Sequence, residues 1–264
     1  QSALQSSDGM VLITGPTGSG KTRSLYAGLN ALNRTELNVS TIEDPVEIQL
    51  PGINQVQIHE RAGLTFSTAL RAMLRQDPDV IMLGEIRDTE TAVTALQAAQ
   101  TGHLVLSTLH TPNAPSTLAR LQHMGVATHH LAASMRLVVA QRLVRRLCPH
   151  CRYPLSREQQ AHALSHLTDT DRRVLAQPLH DDAPLYDARG CAECEGGYKA
   201  RIGVFQVLPV SAALQTMLFE HASVQALAAQ AEREHVETLR QSAWRKAWSG
   251  HTSWSEVLRQ TPQA

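Results

Sequence analysis

The feature that most constrains the fold is a glycine-rich loop between an apolar run and a helical pattern. Residues 15–22 match the pattern G-x-x-x-x-G-K-[ST], in the order Gly15-Pro16-Thr17-Gly18-Ser19-Gly20-Lys21-Thr22. The glycines let backbone N–H groups surround a polyphosphate, while Lys21 can reach the β- and γ-phosphates and the Thr22 hydroxyl can ligate Mg²⁺. The loop therefore predicts binding of a nucleoside triphosphate, although a glycine-rich turn can match the pattern by chance.

Apolar runs alternate with helical patterns over the first half of the chain, which is typical of a parallel sheet with crossover helices. We expect strands at 10–14, 38–43, 79–84 and 103–108, and an extended pair near 53–58. Apolar spacing predicts helices at 66–74, 89–100, 114–124 and 131–147. The basic residues at 142–146 then form the solvated end of the last helix, since no aromatic residues accompany them as in a nucleic-acid-binding patch. The predicted fold class is α/β.

The predicted strands end in residues that can act on a phosphate group. Glu43, Glu85 and His110 follow the second, third and fourth strands, and ligands bind at the carboxyl ends of such strands. Glu85 can hold Mg²⁺ through its water shell or orient the attacking water, and Glu43 is the other candidate for polarising that water. His110 can donate to the γ-phosphate. Asp79 begins its strand and so lies at the wrong end for an ordinary Walker B aspartate. Each of the three candidates could instead be an ordinary loop residue.

The composition is that of an ordinary globular protein. Of 264 residues, 42% are hydrophobic and 18% charged, which suits one large α/β domain with an appendage or two small domains. Lys+Arg and Asp+Glu number 24 each, so the net charge requires neither nucleic acid nor anionic lipid. The sequence contains no apolar run of ~20 residues that could cross a bilayer, and its polar start is unlike a signal peptide. We expect it to be a fragment of a longer protein.

Three further motifs follow the phosphate loop in order. The first is Thr41-Ile42-Glu43-Asp44-Pro45-Val46-Glu47. The second comprises Leu70-Arg71 through Leu74-Arg75-Gln76-Asp77-Pro78-Asp79 and then Leu83-Gly84-Glu85-Ile86-Arg87-Asp88. The third is Thr101-Gly102-His103-Leu104-Val105-Leu106-Ser107-Thr108-Leu109-His110-Thr111. They resemble the aspartate box, the atypical Walker B region and the histidine box of the traffic ATPases of type II secretion and type IV pilus assembly. The resemblance runs from about residue 9 to about residue 210.

This resemblance implies a RecA-like P-loop NTPase core and a cytoplasmic homohexamer of the full-length protein. The family hydrolyses ATP with Mg²⁺ to drive pilus or pseudopilus assembly, and it works at the inner membrane on a platform protein without spanning the membrane. By the same analogy Glu43 is the principal catalytic carboxylate, Glu85 serves Mg²⁺ and water, and His110 senses the γ-phosphate. The candidate charge-stabilising arginines, some of them acting across a subunit boundary, are Arg71, Arg75 and Arg87.

The four cysteines form two C-x-x-C pairs, Cys148 with Cys151 and Cys191 with Cys194. Two such pairs can supply four thiolates to a tetrahedral Zn²⁺, which can fold a small segment that lacks a core. Two disulfides or a redox dithiol are the alternatives, and the separation between the pairs exceeds the ~15–20 residues of common zinc ribbons. We expect structural zinc, because a cytosolic ATPase rarely keeps structural disulfides. A tetracysteine segment here resembles the assembly ATPases, and the retraction ATPases of type IV pili lack it.

We expect three parts in the chain. A RecA-like nucleotide-binding core covers 1–147, a tetracysteine zinc-binding subdomain covers 148–203, and a C-terminal helical region packed on the core covers 204–264. The sequence departs from the family pattern at Thr111-Pro112-Asn113-Ala114 and again at 197–206. Neither departure touches the nucleotide chemistry, so any difference would concern a partner surface.

Two other functions are compatible with a phosphate loop. One is a DNA-transport or conjugation ATPase of the wider secretion superfamily, against which the cysteine pairs and the Glu43-Asp44-Pro45 segment argue. The other is a nucleotide-binding scaffold without turnover, against which the intact Lys21 and Glu85 argue. DNA-stimulated hydrolysis would favour the first, and tight nucleotide binding without hydrolysis would favour the second.

Overall fold

The computed structural model describes residues 2–33, 35–169, 171–172 and 184–261. The chain divides into two compact units. The first unit comprises Gln1–Ala140 and Val207–Val236, and the second comprises Gln141–Gln206 and Glu237–Ala264. The three-part division expected from the sequence stays a prediction, since compactness does not measure which segments fold independently.

The elements alternate between strand and helix over the first half of the chain. The strands are β1 (Gly9–Thr14), β2 (Val39–Glu43), β3 (Asn54–Gln57), β4 (Val80–Leu83), β5 (Leu104–Leu109), β6 (Met135–Leu147), β7 (Tyr153–Pro154), β8 (Tyr186–Asp187) and β9 (Tyr198–Pro209). The helices are α1 (Lys21–Leu32), α2 (Phe66–Met73), α3 (Thr89–Gln100), α4 (Ala114–His123), α5 (Thr128–Ser134), α6 (Arg157–Ser165), α7 (Ala212–Phe219), α8 (Val224–Arg233), α9 (Leu239–Trp248) and α10 (Trp254–Gln260). Short 3₁₀ turns occupy Ser2–Leu4, Glu60–Ala62 and Leu74–Gln76.

The sheet of the first unit has the order β3-β2-β4-β5-β1-β6-β9, with β6 and β9 contributing the parts that lie in that unit. β1 pairs in parallel with β5 and β6, β2 pairs in parallel with β3 and β4, and β4 pairs in parallel with β5. Parallel neighbours need crossover connections, which α1, α2 and α3 supply. The predicted α/β class with a parallel-rich sheet is confirmed, and the carboxyl ends of β1, β2, β4 and β5 lie at one edge.

The central strands are apolar on both faces because helices cover both faces of a parallel sheet. Every residue of β1, β4 and β5 is buried, and Leu12 and Ile81 are fully so. Full burial of such a side chain stabilises the fold by about 1.5–3 kcal/mol. Side chains cap the first turns of α2 and α3; at the start of α3 the Asp88 side chain accepts from the Thr91 N–H. Asp88, the last residue of the segment 83–88, is therefore also the N-cap of α3.

The helix predicted at 131–147 is wrong over most of its length, because only its first residues belong to α5 and the rest form β6. Met135, Val138, Gln141, Val144 and Leu147 are the buried positions that recur at every third residue of β6. This spacing imitates the period of a helix. The β-branched valines and the parallel pairing with β1 instead favour a strand. The basic residues at 142–146 therefore lie on a strand and not at a helix end.

The second unit has a small core around a tryptophan. Trp244 is fully buried, and its ring lies 5.3 Å from that of Trp248. Beside this core the carboxylate of Glu256, with no exposed side-chain surface, accepts from the Arg145 backbone N–H at 3.0 Å and from the guanidinium of Arg259 at 2.8 Å. The Arg145 guanidinium pairs with the same carboxylate and lies over the Tyr198 ring at 3.9 Å. A buried acid with two arginines thus ties β6 to α10.

We expect the change Glu256→Gln to lower the free energy of unfolding at pH 7 by about 1–3 kcal/mol, because it removes the charge that both arginines face. Burial raises the pKa of Glu256, but the hydrogen bonds and charges of Arg259 and Arg145 outweigh it and lower the pKa from 4.5. The ionised folded form therefore contributes stability above pH 4.5, and this contribution is lost as the pH falls through the lower folded value.

Chemical denaturation at several pH values, followed by tryptophan fluorescence, measures this difference. The gap between parent and variant should narrow below pH 4.5. Glu158→Gln, at an exposed position of α6, is the matched control and should change stability by less than about 0.5 kcal/mol. A gap that stays constant down to pH 3 would show that the carboxylate charge is not the stabilising element.

Candidate active site and metal centre

The phosphate loop joins β1 to α1 and has the backbone that glycine permits. Gly18 and Gly20 have φ of 76° and 85°, a conformation that favours glycine. A side chain at Gly18 would meet no neighbour, so the backbone conformation, and not a lack of space, explains the glycine there. The Lys21 ammonium donates to the carbonyl oxygens of Gly15 at 2.9 Å and Pro16 at 3.1 Å. Thr22 is exposed in the first turn of α1. The loop thus presents N–H groups and a helix N-terminus to an anion.

A chain of hydroxyl groups fixes the loop after β5 against the end of β1. The Thr14 hydroxyl contacts that of Thr111 and donates to the Leu109 carbonyl at 3.0 Å, and the Thr111 hydroxyl also bonds to that of Thr117 at 2.6 Å. All three threonines are buried. The chain holds the backbone next to His110 in register with the start of the phosphate loop.

Glu43 ends β2 as a buried carboxylate with three hydrogen-bond donors. It is 2% exposed. Oε1 accepts from the Thr41 hydroxyl at 2.7 Å and from Gln55 Nε2 at 3.0 Å, and Oε2 accepts from the Tyr26 hydroxyl. Burial, together with the hydrogen bond and charge of Glu43, raises the pKa of Tyr26. The tyrosine therefore stays protonated and donates, and the carboxylate is held in one orientation.

Glu85 lies in a cluster of acidic residues around the Arg87 guanidinium. The Arg87 guanidinium contacts Glu85, Asp44 at 3.2 Å and Glu60 at 3.7 Å. His110 Nε2 lies 3.3 Å from the other oxygen of Glu85. Burial lowers the pKa of Arg87, but the hydrogen bonds and charges of Glu85 and Asp44 raise it overall. The structure therefore brings Glu85, Arg87 and His110 together. For Glu85 and His110, this proximity was expected because each follows a strand of the predicted parallel sheet.

The other two candidate arginines lie elsewhere on the surface of the first unit. The exposed Arg71 guanidinium pairs with Glu90, and Arg75 donates to the backbone carbonyl of Arg71 at 3.0 Å. Both side chains are exposed. The structure therefore places both arginines on the surface, at α2 and in the turn that follows it.

Sequence reasoning missed the residues that hold Glu43. Tyr26 is in α1, where helical spacing indicates only a core position, and Gln55 is in β3 as a polar residue on a strand. The available signal was in the pairing of strands, because β3 pairs with β2 and Gln55 is opposite Thr41, two residues before Glu43. That register cannot be read from the sequence of either strand alone.

The four cysteines converge in the second unit. Their sulfur atoms all lie within 4.8 Å of one another, with Sγ–Sγ distances of 3.9 Å from Cys148 to Cys191 and 3.6 Å from Cys151 to Cys194. Four sulfurs around an ion at a Zn–S distance of about 2.3 Å are separated by about 3.8 Å. A disulfide would require about 2.05 Å, and all four cysteines are free. The donor set fits a tetrahedral zinc ion.

Hydrogen bonds favour the thiolate at Cys194, whereas burial raises the pKa of Cys151, and burial with the neighbouring thiols outweighs the Glu193 N–H and raises the pKa of Cys191 to about 12. The Cys191 N–H donates to Cys194 Sγ at 3.3 Å. Burial would raise the pKa of Cys194, but this backbone hydrogen bond and those of the neighbouring thiols lower it to about 7. The thiolate is the form that binds a metal. The zinc expected from the sequence is therefore compatible with both the geometry and the chemistry of the cluster.

A family model described as "Type II/IV secretion system protein" matches residues 1–259. The chain belongs to this family. It is 49% identical over 261 residues to the "Type IV pilus assembly ATPase PilB" of Acinetobacter baylyi, which covers 99% of the chain and 44% of that relative. It is 47% identical to the "Type II secretion system protein E" of Klebsiella pneumoniae, over 97% of the chain and 49% of that protein. The chain thus spans about half the length of the curated relatives it matches, and the resemblance described above is confirmed.

Solved structures resemble the chain in fold. A crystal structure titled "Crystal Structure of the Pilus Retraction Motor PilT and Bound ADP" superposes with a TM-score of 0.72 at 26% identity, covering 99% of the chain and 63% of that structure. The ATPase DotB of Legionella pneumophila gives a TM-score of 0.68 at 25% identity, covering 97% of the chain and 60% of that structure. The expected RecA-like core is confirmed.

We expect the purified chain to carry about one zinc ion, and Cys191→Ser to lose most of it. Loss of the metal should lower the melting temperature by more than about 5 °C, because the ion cross-links segments far apart in the chain. Elemental analysis measures the metal content and calorimetry the melting temperature. His150→Ala, an exposed residue between the first two cysteines and outside the cluster, should retain the zinc. A metal-free parent with two disulfides would contradict the assignment.

Proposed function

We propose that the chain hydrolyses ATP as the motor domain of a homohexameric machine that assembles a type IV pilus or a type II secretion pseudopilus. The observation that carries the proposal is the meeting of the phosphate loop, Glu43, Glu85 and His110 at the carboxyl edge of one parallel sheet. The names of the relatives support the choice of machine, since they include pilus assembly and type II secretion proteins.

The proposed site divides the work among a few residues. The phosphates of ATP are bound by the Lys21 ammonium and by the backbone of the loop residues Gly15, Pro16, Thr17, Gly18, Ser19 and Gly20. Thr22 and Glu85 would hold Mg²⁺, which would neutralise part of the phosphate charge. The Glu43 carboxylate orients and polarises the attacking water, and His110 donates to the γ-phosphate. Phosphoryl transfer depends on positioning and charge stabilisation more than on covalent chemistry, which suits rigidly held carboxylates.

Assembly and location form part of the same proposal. Arg71 and Arg75 supply positive charge to the site of a neighbouring subunit, whereas Arg87 acts within its own chain on Glu85. The hexamer works on a platform protein of the inner membrane, from the cytoplasmic side, with no direct contact to nucleic acid. Within the part of the chain that the structure describes, every helix is too short or too polar to cross a bilayer.

The test is steady-state ATP hydrolysis with Mg²⁺ by the parent and single variants over a range of protein concentrations. Lys21→Ala should abolish nucleotide binding, whereas Glu43→Gln and Glu85→Gln should spare binding and lower kcat by about 100-fold or more. Glu36→Gln removes an exposed carboxylate just before β2, at the opposite edge of the sheet, and should retain parental turnover.

Turnover per chain that rises with concentration would support sites completed between subunits. Tight ATP binding without turnover, even in the full-length protein, would contradict the proposal and favour a scaffold. Hydrolysis stimulated by DNA would favour a DNA-transport ATPase instead.

A further inference from the structure

The segment that follows β2 is attached to the Glu43 carboxylate through two side chains. The first is Tyr26, whose hydroxyl donates to Glu43 Oε2 and accepts from the Glu47 N–H at 3.2 Å. One oxygen atom thus links the carboxylate to the backbone of Glu47, which lies two residues after Pro45 and its cis peptide bond. Tyr26 is 4% exposed, so its hydroxyl is largely shielded from solvent.

The second link is Gln55 of β3. Its Nε2 donates to Glu43 Oε1 and to the Ile48 carbonyl, both at 3.0 Å, and its Oε1 accepts from the Leu50 N–H at 2.7 Å. A single amide therefore uses both ends to hold the carboxylate and the segment 46–50. Together the two side chains occupy both oxygens of Glu43.

The segment itself faces outward. Ile48 is 52% exposed, whereas Glu43 is 2% exposed. Tyr26 also belongs to α1, five residues after Lys21, so its position depends on the helix that begins at the phosphate loop. The hydrogen bonds consequently connect a surface segment, the phosphate-loop helix and the buried carboxylate through the side chains of Tyr26, Gln55 and Glu43.

We propose that Tyr26 and Gln55 are positioning residues for Glu43, and that they couple the orientation of its carboxylate to the conformation of the segment 46–50. The consequence for hydrolysis depends on the proposed function, since Glu43 is assigned there as the carboxylate that polarises water. A displacement of 46–50 would break the Glu47 bond to Tyr26 and the Ile48 and Leu50 bonds to Gln55, and would thereby release the carboxylate. The segment is thereby a control point for turnover that leaves phosphate binding intact.

A purely structural role makes a different forecast. Buried polar groups need partners in any fold, so loss of the Tyr26 hydroxyl could lower stability alone. A structural defect would weaken nucleotide binding and turnover together and would do so regardless of the residue at position 43. A positioning role affects kcat, spares binding, and disappears when Glu43 is replaced.

The experiment compares the parent, Tyr26→Phe, Glu43→Gln and the double variant. Steady-state hydrolysis gives kcat and KM, and a non-hydrolysable ATP analogue gives the dissociation constant. Tyr26→Phe should lower kcat by about 10- to 100-fold with KM and analogue binding within about twofold of the parent. It should have no further effect in the Glu43→Gln background. Tyr198→Phe, which removes a hydroxyl bonded to Ser253 in the second unit, should leave kcat unchanged.

Amide hydrogen exchange of the segment 46–50 gives a readout that needs no turnover. Tyr26→Phe and Glu43→Gln should each make the Glu47 and Leu50 amides exchange roughly fivefold faster or more, and Tyr198→Phe should not. Equal kcat losses from Tyr26→Phe in both backgrounds, or unchanged exchange at 46–50 in Glu43→Gln, would overturn the coupling. If the full-length protein also lacks turnover, the proposed function fails, and the exchange measurement still decides whether carboxylate and segment are coupled.

Discussion

The strand β1 lies between β5 and β6, and its parallel hydrogen bonds to both determine where the phosphate loop begins. Because β5 runs in the same direction, its end arrives beside the end of β1, where Thr14 and Thr111 share a buried hydrogen bond. The same alignment continues through β4 to β2. Every candidate catalytic side chain at the strand ends is therefore placed by backbone pairing, and side-chain contacts only adjust its final orientation.

The two acidic positions of the site differ in what surrounds them. Glu43 accepts hydrogen bonds from three neutral donors, which fix the orientation of the carboxylate without placing a cation against it. Glu85 faces the Arg87 guanidinium, which itself is shared with two other acids. A carboxylate among neutral donors suits action on water, and a partly exposed carboxylate with an exchangeable cationic partner suits a divalent cation. The division of roles proposed for these residues follows from this contrast.

Much of the site was predictable because its signals are local. The phosphate loop is contiguous, Glu43 ends the buried strand β2, and Glu85 follows β4, a short apolar run typical of a buried parallel strand. The prediction failed where local spacing agreed with two structures, as in β6, whose buried residues recur every third position. It was also silent on Tyr26 and Gln55, and on which arginine would meet Glu85, since these depend on pairing between distant segments.

The metal centre confines the thiol chemistry of the whole chain to one place. All four cysteines of the sequence belong to the cluster in the second unit, and every residue proposed to act on the nucleotide belongs to the first. An oxidant or an electrophile that reacts with thiols can therefore modify a thiol of this chain only at the cysteine cluster, which is far along the sequence from the phosphate loop. A cysteine introduced into the first unit would be the sole thiol there, which makes that unit a clean background for attaching a fluorophore or a spin label.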